Sequence, residues 1–223
     1  MRIVRFVLLA VAILLAASGV AQAATGHYSC VGQAYNGSTK QVGYGTKAKM
    51  YVYPKQSPQD GDWVNSIYAG NMYGKFYEAG WFWWPGASAA TGPQGFAHYF
   101  NGLFHSERWF APPAPGTRPV FAITNTGGSD TWRTYVDGVS RDIWFSTDIR
   151  SCYPCVGAER YDTLDYNKGQ FLYTSYLARN GDAYNWAYWV DGGVNNDTDP
   201  NSNVYFNYLD RFDHYVYVDD HQN

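Results

Sequence analysis

Glutamate is the first scarcity: the chain holds only Glu78, Glu107 and Glu159. Cysteine is as rare, with Cys30, Cys152 and Cys155, and charged residues make up only 16% of the 223 positions. No cluster of Lys or Arg is present to grip nucleic acid or an anionic membrane, and the formal net charge is −3. The G-x-S-x-G, H-E-x-x-H and phosphate-cradling glycine patterns are all missing. Their absence removes the usual serine-hydrolase, zinc-protease and nucleotide-binding readings, and no cofactor is implied. A single C-x-x-C with no His close beside it makes a poor zinc site, so no metal is expected. No helix follows that C-x-x-C to lower a thiolate pKa, which argues against redox catalysis.

Long apolar runs are also few. One stands at the N-terminus, where Arg2 and Arg5 precede an unbroken stretch from Phe6 to Ala17 and small residues lead to Ala21-Gln22-Ala23. This is the layout of a cleavable secretory signal over residues 1–23, too short for a membrane span of about 20 apolar residues. The mature chain, residues 24–223, is expected to be secreted as one domain without stable membrane insertion. Losing Arg2 and Arg5 leaves 14 basic against 19 acidic residues, a net charge of −5. In an oxidising compartment three cysteines imply one disulfide and one leftover thiol, closed within Cys152–Cys155 or from Cys30 to either.

Aromatics are abundant: Trp 9, Tyr 21 and Phe 12 make 19% of the chain. They suit pleated, half-buried surfaces, and the interspersed Gly and Asn supply turns. Residues 45–53 alternate as a strand does, and further strands are expected at 62–69, 75–84, 96–100, 170–178, 183–190, 203–209 and 213–219. TWRTYV (131–136), Asp137-Gly138 and VSRDIWF (139–145) predict a hairpin with a tight type I′ turn. Pro112, Pro113, Pro115 and Pro119 mark a stiff connection that no central strand can cross. About ten short strands and no amphipathic helix predict an all-β, antiparallel two-sheet jelly-roll sandwich of concanavalin-like form.

Glu78 is the candidate with chemistry in it. A two-residue period puts it on one face with Phe76, Gly80, Phe82 and Trp84, and puts Trp81 and Trp83 on the other. A strand glutamate ordinarily faces solvent, often on an edge, where it discourages aggregation. Among aromatics, however, desolvation raises a carboxyl pKa and prepares it for acid–base work. Gly80 leaves room for a substrate backbone beside it.

The stretch Tyr77-Glu78-Ala79-Gly80-Trp81, with Pro85 shortly after, resembles the E-A-G-W segment of neprosin-type glutamic peptidases. Tyr44-Gly45 with alternation to Val52 and then Pro54 is similar to the strand preceding it in that family. The likeness covers residues 43–85. It implies a secreted double-sheet sandwich with acid endopeptidase activity, in which Glu78 is one of two catalytic carboxylates. The family's second Glu follows a Gly-Gly pair; here the matching stretch is Asp191-Gly192-Gly193-Val194, with Val194 in the place of that Glu. Asp191 is then the candidate partner, one methylene shorter. The family's C-Y-N-x-x-C segment has no counterpart after Trp81. Phe82, Trp84 and Trp189 are the expected substrate contacts, for a protein, peptide or glycan substrate. Two other classes compete. One is a non-catalytic glycan- or surface-binding module using Trp81, Trp83, Trp84, Trp186 and Trp189. The other is a glycoside hydrolase using Glu78 and Glu107, since such enzymes set two carboxylates across a cleft.

Overall fold

The computed structural model describes residues 28–36, 39–54, 63–70, 75–83, 92–101, 103–111, 113–125, 131–145, 149, 151–160, 168–189, 191–193, 204–210 and 215–220. The expected signal segment (residues 1–23), Trp84, Pro85 and Val194 lie outside them. Every strand pairing among the described residues is antiparallel, in two sheets.

The first sheet contains β1 (Tyr28–Asn36), β2 (Thr39–Lys40), β4 (Trp63–Gly70), β5 (Phe76–Phe82), β6 (Gln94–Phe100), β7 (His105–Phe110), β11 (Tyr153–Arg160) and β14 (Asp191–Gly193). Its order is β14-β1-β11-β4-β5-β6-β7, with β2 beside β1. The second sheet contains β3 (Gly45–Met50), β8 (Val120–Thr124), β9 (Thr131–Val136), β10 (Val139–Phe145), β12 (Lys168–Asn180), β13 (Ala183–Tyr188), β15 (Val204–Asp210) and β16 (Tyr215–Asp220). Its order is β10-β9-β8-β3-β12-β16-β15, with β13 beside β12. The expected two-sheet sandwich is what forms.

Alternation explains the core. Ile67, Ala69, Tyr77, Ala79, Trp81, Ala97, Val156 and Ala158 meet Ala48, Met50, Phe121, Ile123, Trp132, Val136 and Phe171 of the other sheet. Several polar groups inside are matched, as burial demands. Tyr77 shares a 2.7 Å hydrogen bond with Thr134 and stacks on Trp132, ring centroids 5.7 Å apart. Trp132 Nε1 donates to the Ile149 carbonyl at 2.8 Å, and Trp83 Nε1 to the Tyr53 carbonyl at 3.0 Å. The sheets are tied where Thr46 Oγ1 donates to the Tyr68 carbonyl at 2.6 Å. A backbone bridge between Gly43 and Cys152 reinforces that corner.

Asp137 and Gly138 both take positive φ, 51° and 78°, which is the type I′ geometry that Asp-Gly predicts. The described part of the proline segment, Pro113 to Pro119, carries no strand. Six strands escape the alternation test: β1, β2, β7, β8, β11 and β14. Cys152 is a free, buried thiol whose pKa burial pushes far up, so no disulfide closes within the C-x-x-C. Cys30 and Cys155 stand on the neighbouring strands β1 and β11.

Candidate functional site

Strand β5 runs between β4 and β6, so Glu78 sits mid-sheet and not on an edge. Its neighbours Tyr77, Ala79 and Trp81 face the core, which turns Glu78 to the outer face of the first sheet. It is nonetheless only 5% exposed. A buried carboxylate costs several kcal/mol unless it is hydrogen-bonded, so its partners define the site.

Both oxygens are engaged. Ser66 Oγ on β4 donates to Oε2 at 3.2 Å, and His98 Nδ1 on β6 lies 2.8 Å from Oε1. On the far side of the same ring, His98 Nε2 lies 3.0 Å from His105 Nδ1 on β7. Cross-strand register produces this chain: Glu78 pairs with His98, and His98 pairs with Glu107. His105 stands beside Phe100, its cross-strand partner, with ring centroids 4.5 Å apart. A carboxylate and two imidazoles are therefore linked across three adjacent strands, from a buried oxygen to an exposed ring. With a carboxylate as its acceptor, His98 Nδ1 carries a proton. Nε2 then accepts from His105 when His98 is neutral and donates to it when His98 is cationic.

Burial works against charge on His98. The hydrogen bond that His98 donates to Glu78, the negative charge of Glu78 and that of Glu107 outweigh burial, and the His98 pKa is raised. His105 goes the other way: partial burial and then the adjacent His98 lower its pKa, against the pull of Glu107 and Glu78. Neighbouring imidazoles thus titrate apart, which spaces the two protonation steps.

Aromatics border the row on both sides. Phe76 meets His98 edge-on at 5.2 Å and tilts against Phe100. On the other side Phe82, Phe96 and Val64 form a small outer cluster, capped by the exposed Trp109 with centroids 6.1 Å from Phe82 and Phe96. Gly80 has a different role from the one expected. A Cβ there would collide with the Asn65 carbonyl oxygen and lie 2.8 Å from Ser66, so the space belongs to β4 and not to a substrate. The glycine lets Ser66 close on Glu78.

The residues expected around Glu78 are only partly assembled. Phe82 shares its face, four residues along, but is nearly buried in the outer cluster. Trp189 is fully buried in the core and has no surface to offer a substrate. Trp84 lies outside the described residues. Asp191 pairs with Tyr35 in β14, four strand steps from β5, a backbone separation of roughly 19 Å at ~4.8 Å per step. The residues beside Glu78 are Ser66 and Tyr68 on β4 and His98 on β6, with His105 and Glu107 one strand further on, beside His98. For the two histidines the signal was their seven-residue spacing, which the pairing of β6 with β7 converts into contact.

No protein-family model matches the chain, nor does the sequence of any curated protein. Its fold, however, is that of the glutamic peptidases. A structure of scytalido-glutamic peptidase with a peptide-based transition state analog superposes with a TM-score of 0.56 at 8% identity, covering 88% of this chain and 99% of that one. SCP-B, a member of the eqolisin family of peptidases in complex with the tripeptide Ala-Ile-His, superposes with a TM-score of 0.53 at 9% identity and the same coverage. At such identities the likeness is one of architecture.

Proposed function

We propose that this chain is an exported hydrolase of the glutamic-peptidase type, cleaving peptide bonds with Glu78 as the group that activates water. The observation that carries the reading is the placement of Glu78: buried mid-sheet in a glutamic-peptidase-like sandwich, with Ser66 and His98 fixing both oxygens. A general base works only when it is held in one geometry. Glu78 takes a proton from water as the water oxygen adds to the scissile carbonyl, and returns it to the leaving amine as the C–N bond breaks. A cationic His98 beside it offsets the developing oxyanion charge, the part a second acid plays elsewhere. His105 passes protons between His98 and solvent.

One observation favours a second reading. Glu78 and Glu107 flank His98 in a single cross-strand row, roughly 10 Å apart at the backbone, and a carboxylate pair across a cleft is the requirement for glycoside hydrolysis. Digestion separates the two. The purified mature chain is incubated from pH 3 to 7 with a denatured protein and, separately, with soluble β-glucans, and products are mapped by mass spectrometry. Internal peptide cleavage is expected; release of oligosaccharides with intact protein substrate would overturn the peptidase reading.

A further inference from the structure

The face opposite Glu78 has a different character. Glu78 and Glu107 lie, by register, in one row on the outer face of the first sheet. The outer face of the second sheet instead collects cations and exposed rings. Lys47 and Lys49 project from β3 on the side away from the buried Ala48 and Met50, and Arg133 from β9 on the side away from Trp132 and Thr134. Trp186 and Tyr188 on β13 are 37% and 54% exposed.

Register sets these side chains in a row. Tyr188 pairs with Ser175, Ser175 with Lys47, Lys47 with Ala122, and Ala122 with Tyr135. The row reads ring, small, cation, small, ring across five strands, a span of roughly 19 Å. Lys47 Nζ sits 4.4 Å over the Trp186 ring, which keeps ring and cation side by side. Arg133 stands one row along, opposite Thr124, whose other partner is Gly45. Two acids at turns bordering this surface are already engaged. Asp137 accepts from the Val120 N–H at 2.8 Å, and Asp182 lies 3.7 Å from Arg179.

We propose that this face binds an acidic polysaccharide, with sugar rings stacked on Tyr188, Trp186 and Tyr135 and their carboxylates paired with Lys47, Lys49 and Arg133. Each observation answers one part of such a ligand. Sugar rings present an apolar C–H face that suits an exposed aromatic, and uronate carboxylates at intervals between them suit cations spaced between rings. In a chain of net charge −3 this face supplies the local positive potential that a polyanion requires. Nucleic acid also offers rings and charge, but an exported chain meets polyanionic glycan first. The proposal does not depend on the chemistry of Glu78, since the two faces belong to opposite sheets.

The test uses the intact mature protein in affinity electrophoresis through gels containing polygalacturonate, fully methyl-esterified polygalacturonate or dextran. A single-stranded oligonucleotide and phosphatidylserine vesicles are offered in parallel. Retardation by polygalacturonate alone is expected, weakening steeply between 50 and 300 mM salt (roughly the range over which exposed charges become screened). At least a tenfold loss is expected in Trp186→Ala and in the surface double variant Lys49→Glu/Arg133→Glu, while Glu78→Gln binds as well as wild type. Absence of retardation, equal retardation by the methyl ester, tighter binding to the oligonucleotide or vesicles, or a double variant that binds undiminished would each overturn the proposal.

Discussion

Gly80→Ala is expected to destabilise the protein by about 3 kcal/mol or more and to dismantle the Glu78 site, although it adds a single methyl group. Overpacking of this kind ordinarily costs 1–3 kcal/mol because side chains can yield. Here the obstacle is backbone: the new Cβ meets the Asn65 carbonyl oxygen and Ser66, and β4 must move. β4 and β5 are paired over seven consecutive residues, from Val64↔Phe82 to Gly70↔Phe76, so the displacement cannot stay local. Ser66 is also the donor to Glu78 Oε2, so any shift of β4 lengthens that bond. Denaturant unfolding and thermal melts measure the loss. Ala79→Gly, next door and facing the core, is the control for backbone effects. A Gly80→Ala melt within 1 °C of wild type would contradict the close approach.

The second large effect is a dependence of stability on pH that belongs to His98. Its pKa is higher in the folded protein than the ordinary 6.5, so the proton it holds stabilises the fold. That contribution is fully present below pH 6.5 and is lost as pH rises through the folded-state pKa above it. His105 has the opposite sign: its folded pKa is lowered, so it costs stability as pH falls below 6.5. The windows therefore separate. Between pH 6.5 and 8 the slope reports His98 facing Glu78 on β5, with Glu107 and His105 on β7. Below 6.5, His105 erodes the gain. Melting temperatures from pH 5 to 8 should fall on the alkaline side in wild type, and His98→Gln should flatten that fall. A slope that persists unchanged in His98→Gln would assign it to another group.

The architecture was legible because alternation is a local property. β3, β4, β5, β6, β9 and β12 each bury one set of residues while leaving the other set open or packed separately, and the Asp137-Gly138 turn needs only two residues to declare itself. The strands that escaped have local reasons. His105 to Trp109 of β7 are exposed and only Phe110 is partly covered, so no period of apolar residues exists to read. β11 opens on Tyr153-Pro154 inside a C-x-x-C, which looks like a turn; Pro154 is accommodated at the strand's start, before the pairing with β1 begins at Cys155. β14 is Asp-Gly-Gly, three residues that signal a loop on any propensity scale.

The site was half legible. The face of Glu78, and the core positions of Trp81 and Trp83, follow from a period of two. What surrounds Glu78 depends on which strands are neighbours, and that is a global property. His98 lies twenty residues away and becomes a partner only because β6 returns beside β5 in register. Asp191 shows the reverse: a Gly-Gly pair in the right place along the chain puts it on β14, beyond β1 at the far end of the sheet. Burial was also misjudged by type. A lone strand glutamate is usually exposed, but Ser66 and His98 supply the hydrogen bonds that let this one be covered.

The most direct measurement is the rate of peptide-bond hydrolysis by wild type and by Glu78→Gln, prepared side by side and followed from pH 3 to 7 on one denatured substrate. Gln keeps the shape and can still pair with His98, so the fold should survive, as circular dichroism and melting would show. A loss of at least about 100-fold at every pH is expected, the lower end of what a positioned general base supplies. Equal rates in the two proteins, with both folded, would contradict a role for Glu78 in the chemistry.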